Sequence, residues 1–226
     1  MSLQDVDESP PAAPDVPRVS TSVNRDQVVV LYQIPWAQYD GLCIARENTV
    51  GPRMAYLDGA LEIMSPSPRH EYEKKLIARL VEAYAEVVGL SLNGFGSTTY
   101  RRKVKEAGLE PDECYCIGPA KKFPDLAIEV FYTSGGIDKL EIYRRLAVSE
   151  VWIWAKGKFW IYVLVKERRG YELREQSAVL PRLDLAELGR IVAETDESHQ
   201  TEAVRAYRRA LSRKRRRPTS PAPRGR

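Results

Sequence analysis

The chain has 226 residues, 43% of them hydrophobic, and a net charge of +4, which allows one ordinary domain with a real core plus tails. No run approaches the roughly 18–20 apolar residues of a membrane span and no signal-peptide core opens the chain, which together predict a cytoplasmic protein. Three cysteines without a CxxC pair (Cys43, Cys114, Cys116) argue against a structural zinc site, and two histidines (His70, His199) argue against a histidine-rich metal centre.

The charge is unevenly placed. Ten Lys or Arg and no acid follow from Arg205 onward, so residues 1–204 carry −6. A basic arm on an acidic body either holds nucleic acid near a site without grading its sequence or serves only as a solvated tail; the sequence weighs the two equally. Residues 1–22, rich in Pro, Asp and Ser without periodicity, predict a disordered segment. Residues 23–195 form the predicted domain, and 196–226 a C-terminal helix and basic tail.

Val28 to Leu31 reads as a first short strand, followed by a loop or short helix through Ala37 and Tyr39. In MAYLDGALEIM, Asp58-Gly59 between apolar runs predicts a hairpin, because a two-residue turn of this type needs positive φ at both positions. Tyr72, Leu76, Leu80, Tyr84 and Val87 recur at three- and four-residue spacing and predict a helix over 69–89. Three strand-like runs follow, STTYRRKV, ECYCI and PDLAIEVF, broken after them by Ser134-Gly135-Gly136. A helix with Ile137, Leu140, Ile142, Tyr143 and Leu146 inward comes next, then a hairpin of VWIWA and KFWIYVLV around Lys156-Gly157, and YELRE as an edge strand. Asp184–Val192 and Glu202–Leu211 complete the helices. The order describes an α/β (α+β) domain with a central mixed sheet and flanking helices. Neither a GxGxxG after a first strand nor a Walker-type loop is present.

The chemistry rests on carboxylates and a lysine. If ECYCI and PDLAIEVF pair antiparallel with Ile117 opposite Pro124, positions sum to 241 and Asp112 faces Glu129. Opposed carboxylates lie about 4.5–5.5 Å apart at Cβ and repel, so they call for a shared proton or a bridging cation. Mg²⁺, with oxygen ligands and retained waters, suits the pair, with Mn²⁺ as a substitute. Glu129 stands in the apolar run LAIEVF, where a carboxylate is costly unless paired or on an exposed face. Glu62 sits in LEIM just before the first long helix, as a third carboxylate or as an ordinary exposed strand residue. Lys139, on the helix after the Glu129 strand, either reaches over the sheet end or is solvated. Phosphodiester hydrolysis uses all four without a histidine.

The stretches YLDGALEIMSPSPRHEYEKKLI, GSTTYRR, GLEPDECYCI, PDLAIEV and DKLEIYRRLAVSEVWIW, in this order over about residues 30–190, resemble the bacterial putative restriction endonuclease family of the PD-(D/E)XK nuclease superfamily, formerly a domain of unknown function. The resemblance implies a restriction-endonuclease-like fold and metal-dependent cleavage of DNA. It carries the motif aspartate onto Asp112, the strand acid onto Glu129 and the LEIMSPS glutamate onto Glu62, with Asp112 and Glu129 as metal ligands. Phe131 occupies the position where the superfamily lysine is expected; in this family the lysine moves to the following helix, here Lys139. Asp125 of the second Pro-Asp competes for the aspartate role but lies four strand residues from Glu129, about 13 Å at about 3.3 Å per residue. His70 reads as a helix-start or dimer-surface residue. Arg101, Arg102, Lys103 and Lys105 are candidates for a basic groove. The expectations are a Mg²⁺-dependent DNA endonuclease acting as a homodimer, against a catalytically silent nucleic-acid-binding or dimeric interaction protein of the same fold.

Overall fold

The computed structural model describes residues 25–46, 51–131, 136–165 and 170–216. The expected disorder of 1–22 and the last part of the basic tail lie outside these residues.

The chain opens with β1 (Gln27–Leu31) and α1 (Trp36–Ala45), followed by the hairpin β2 (Arg53–Leu57) and β3 (Ala60–Ser65). Asp58 and Gly59 both take positive φ, 46° and 86°, as the hairpin turn requires. Helix α2 (Pro68–Val88) starts with Ser67 as N-cap and proline at its first position, and stops at Gly89, whose φ of 75° ends it in the left-handed region. Next come β4 (Leu92–Gly94), β5 (Tyr100–Arg102), β6 (Ala107–Leu109), β7 (Glu113–Ile117) and β8 (Leu126–Phe131). Then follow α3 (Lys139–Leu146), β9 (Glu150–Ala155), β10 (Lys158–Val165), β11 (Gly170–Arg174), α4 (Leu185–Glu194) and α5 (Gln200–Arg216).

The strands form two sheets, the central mixed one expected and a second, antiparallel one that the sequence pattern does not separate from it. One is antiparallel, in the order β1-β3-β2-β6-β5; the other is mixed, in the order β11-β10-β9-β8-β7-β4. Three-residue strands account for the difference. STTYRRKV supplies only β5, after which a 3-10 turn at Lys103–Lys105 leaves Val104 86% exposed. The chain then makes β6 from residues that carry no strand pattern of their own and crosses from the first sheet to the second between Leu109 and Glu113.

In the mixed sheet, β8 and β9 are parallel and α3 is the crossover between them. Leu126, Ile128 and Val130 of β8 pack with α2, α4 and α5, while Ala127 faces the other way, into a second cluster with Ile142, Tyr143 and Leu146 of α3. Strand β8 is therefore covered on both faces, which explains its nearly continuous apolar run and removes the exposed-face reading of Glu129. Helix α5 is longer than its periodicity indicates; Val204 and Tyr207 are buried in the core, so the first part of the basic arm is built into the domain. Among the described residues no helix is long and apolar enough to cross a membrane.

Candidate active site

Four acidic or basic side chains predicted from the sequence meet where the two sheets adjoin. Asp112 lies on the crossing from β6 to β7. The β7–β8 ladder pairs Glu113 with Ile128 and Cys114 with Ala127, the expected register, and its continuation places Asp112 across from Glu129. Both are 1% exposed. Asp112 Oδ2 accepts a hydrogen bond of 2.7 Å from Val130 N, which ties the crossing segment to β8 one residue beyond Glu129.

Glu62 reaches the same place from the middle of β3 in the antiparallel sheet, where it lies between Val30 and Ala55. Its Oε2 accepts from Ile137 N at 3.1 Å. Gly136, at φ +106°, passes so close to Glu62 that a Cβ there would sit 2.2 Å from Oε2. This backbone approach is open to glycine alone. Lys139, the first residue of α3, bridges the sheets: its Nζ is 2.9 Å from Glu129 Oε2 and 3.7 Å from Glu62 Oε1.

Lys139 is held above its ordinary lysine pKa. Burial alone pulls it down, but the charges of Glu129 and Glu62 outweigh the desolvation. The group is a fixed ammonium at neutral pH, a source of positive charge and not a base. One helical turn on, the Tyr143 hydroxyl donates to Glu129 Oε1. Burial first, and then the Glu129 charge, push this phenol well above its usual range, so it stays a donor.

Several site residues escape sequence reasoning. Arg53, at the start of β2, places one guanidinium nitrogen against Asp112 and the other 2.7 Å from Glu71 Oε1. His70 is fully buried, which corrects the dimer-surface reading; it is a helix-start residue whose backbone N–H donates to the Ser67 cap at 3.3 Å. Its ring stands between two carboxylates, Nδ1 2.8 Å from Asp26 Oδ2 and Nε2 3.0 Å from Asp112 Oδ1. Tyr143 carried a signal, since residues i and i+4 of a helix share a face and Lys139 precedes it by four. Arg53 and Asp26 carried none, because their partners lie far off in sequence.

Other acids are spoken for. Asp125 accepts from Ile117 N at 2.8 Å and pairs with Lys121 at the far end of the β7–β8 hairpin, which removes it as the competing aspartate. Glu150 and Glu73, also buried, accept from the indoles of Trp152 and Trp154 on other parts of the sheet. Of the expected basic groove, Arg101 lines a cavity beside Arg53, whereas Arg102 and Lys105 line a separate cleft with Arg144 and Arg145.

Among the described residues no three His, Cys, Asp or Glu side chains converge as a ready metal cage. The donor set still suits a hard cation: Asp112 and Glu129 are adjacent oxygen donors with Glu62 one lysine away, and Mg²⁺ characteristically takes one or two carboxylates and keeps its waters.

A family model described as putative restriction endonuclease (Uma2) matches residues 36–210. The chain belongs to that family. The match runs from α1 into α5 and contains all four predicted site residues. The described residues of this member form a mixed sheet flanked by helices with a second sheet beside it. No curated protein matches the chain. Among solved structures it is similar to a putative nuclease belonging to DUF820 from Anabaena variabilis ATCC 29413, at 16% identity, TM-score 0.41, over 68% of this chain and 92% of that one.

Proposed function

We propose that this member of the family is a Mg²⁺-dependent endonuclease hydrolysing DNA phosphodiester bonds, with Asp112 and Glu129 as metal ligands and Glu62 and Lys139 completing the site. The observation that carries the reading is the meeting of two buried carboxylates from separate sheets, Glu129 and Glu62, on one bridging ammonium, Lys139, with buried Asp112 across the β7–β8 register from Glu129. Burying several carboxylates together costs several kcal/mol per ion unless they are compensated. Glu73 and Glu150, buried elsewhere, each accept from a tryptophan indole instead.

A divalent cation bound by Asp112 and Glu129 would supply Lewis-acid stabilisation of charge developing on the phosphate. The chain's own groups then have separable tasks. Lys139, kept protonated, offsets negative charge on a phosphoryl oxygen brought near it. Tyr143 fixes the rotamer of Glu129 by donating to one oxygen and leaves the other to Lys139. Asp26, through His70, and Val130 N fix Asp112 from opposite sides. Glu62, pinned by the Ile137 N–H, presents its second oxygen toward Lys139 and orients water on that side.

One observation favours the alternative of a silent nucleic-acid-binding or interaction protein: Asp112 already has a counter-ion in Arg53, and Glu129 in Lys139. The two readings separate on supercoiled plasmid incubated with Mg²⁺, with Mn²⁺ and with EDTA. The nuclease reading expects nicked or linear product with either metal and none with EDTA. No product from any DNA under the three conditions selects the silent reading. Linear product accumulating faster than nicked product is expected if two copies act as a dimer on both strands.

A further inference from the structure

Beside the carboxylates lies a polar cavity of about 960 Å³ that no step above uses. It is framed by the end of α1, the start of β2, the first turns of α2 and the 97–99 segment before β5. We propose that this cavity seats the sugar–phosphate backbone of the nucleic acid next to the bond to be cut, held by Lys74, Arg101 and the hydroxyls of Thr98 and Thr99. The assignment rests on the nuclease reading for its neighbour but makes a separate claim about binding.

Three observations support it. First, charge: Arg46, Arg53, Lys74 and Arg101 line the cavity with only two acids, Glu71 and Glu110, while Asp112 and Asp40, which pair with Arg53 and Arg101, are not part of the lining. Phosphate contacts through Lys and Arg dominate nucleic-acid affinity. Second, the wall chemistry: hydroxyls and cations line it with no aromatic ring. A small-molecule pocket would be mainly apolar, and a base-reading surface for single strands would offer stacking rings. Hydroxyls and cations without rings read the backbone and not the bases. Third, continuity: the Arg53 guanidinium touches Asp112 on one side and Glu71, in the cavity wall, on the other.

The acids already show where phosphate oxygens fit. Glu71, with its side chain 42% exposed, takes both Arg53, at 2.7 Å, and Lys74. Glu110 accepts from Thr99 Oγ1 at 3.1 Å and lies 4.0 Å from Arg46. A phosphate diester offers the same cations an equivalent pair of anionic oxygens, and Glu71 has solvent to move into.

The test is equilibrium binding of a fluorescein-labelled DNA oligonucleotide, followed by anisotropy in EDTA so that cleavage plays no part, over a range of salt. Lys74→Gln and Arg101→Gln should each weaken binding and reduce the slope of log K against log[salt] by about 0.7–0.9, the value for one lost phosphate contact. Lys74→Arg should keep the slope. The control Arg190→Gln, an exposed α4 arginine paired with Glu194, should change neither. Thermal melts of all four verify folding, and Thr99→Val is the replacement should Arg101→Gln unfold, with weaker binding as its expected result. Slopes equal to wild type at both positions, a loss no larger than the control's, or no binding of DNA by the wild type overturns the assignment. A protein that binds with these slopes but never cleaves would refute the nuclease reading and leave the cavity assignment standing.

Discussion

Replacing Gly136 by alanine tests how tightly the turn before α3 is tied to the candidate site. Two costs add. At φ +106° an alanine sits in backbone space that L residues rarely adopt, which costs about 1–3 kcal/mol. The new Cβ would also stand 2.2 Å from Glu62 Oε2, so the carboxylate must swing away from Ile137 N, 3.1 Å from it in the structure. Losing a hydrogen bond to a charged group costs about 1.5–3 kcal/mol. The sum is about 2.5–6 kcal/mol, a large fraction of the stability of an ordinary domain. Urea denaturation followed by tryptophan fluorescence should show a midpoint well below wild type with an unchanged slope. Removing the Glu62 carboxylate takes away the second cost, so Gly136→Ala should be less damaging in a Glu62→Ala background than in the wild type, a coupling that a double-mutant cycle measures. A Gly136→Ala midpoint matching wild type, or costs that simply add in the cycle, would refute the proposed wedge of backbone against carboxylate.

Lys139→Met strips the counter-ion shared by Glu129 and Glu62 and should cost about 3–5 kcal/mol in the same titration, with loss of cleavage; a variant as stable as wild type would show that the ammonium is not holding the acids. Glu141 is held at a pKa of about 2, against an ordinary 4.5, chiefly by hydrogen bonding to Arg144 and then Arg145. Its folded pKa is depressed, so the stability it lends is present above pH 4.5 and lost as pH falls toward 2, and Glu141→Gln should flatten melting temperature against pH in that window. Neutralising Arg205, Arg209 and Arg213 on α5 together should flatten the salt dependence of DNA binding without shifting the melting temperature, if the arm holds nucleic acid. Truncation after Val204 is a poorer probe, because it removes Tyr207 from the core.

How far the sequence foretold this arrangement depends on the range of each signal. Both hairpin turns were legible because Asp58-Gly59 and Lys156-Gly157 need positive φ at both positions, a local demand that the chain meets with φ of 52° and 75° at the second turn. The facing of Asp112 and Glu129 rested on an assumed register of ECYCI against PDLAIEVF, and the β7–β8 ladder has that register. The two-sheet division was not legible, because β4, β5 and β6 have three residues each and take their form from pairing with distant strands. The support of Asp112 was hidden for the same reason. Arg53 finds Asp112 across 59 residues, and His70 finds Asp26 across 44 residues and Asp112 across another 42. Lys139 was identifiable as a candidate, but whether its ammonium faces water or the acids is decided by the backbone path through Gly136, which no periodicity encodes.

The central claim is that Asp112 and Glu129 make this protein a metal-dependent nuclease, and the most direct measurement is the initial rate of plasmid cleavage in Mg²⁺ by wild type, Asp112→Asn and Glu129→Gln, each with a matching thermal melt. These near-isosteric amides keep the shape of the site and remove the anionic ligand. The account predicts folded variants whose cleavage falls at least 100-fold, to the level of wild type in EDTA, as expected when an electrostatic contribution of about 2.7 kcal/mol or more is removed. Folded Asp112→Asn and Glu129→Gln proteins that cut plasmid at the wild-type rate would contradict it.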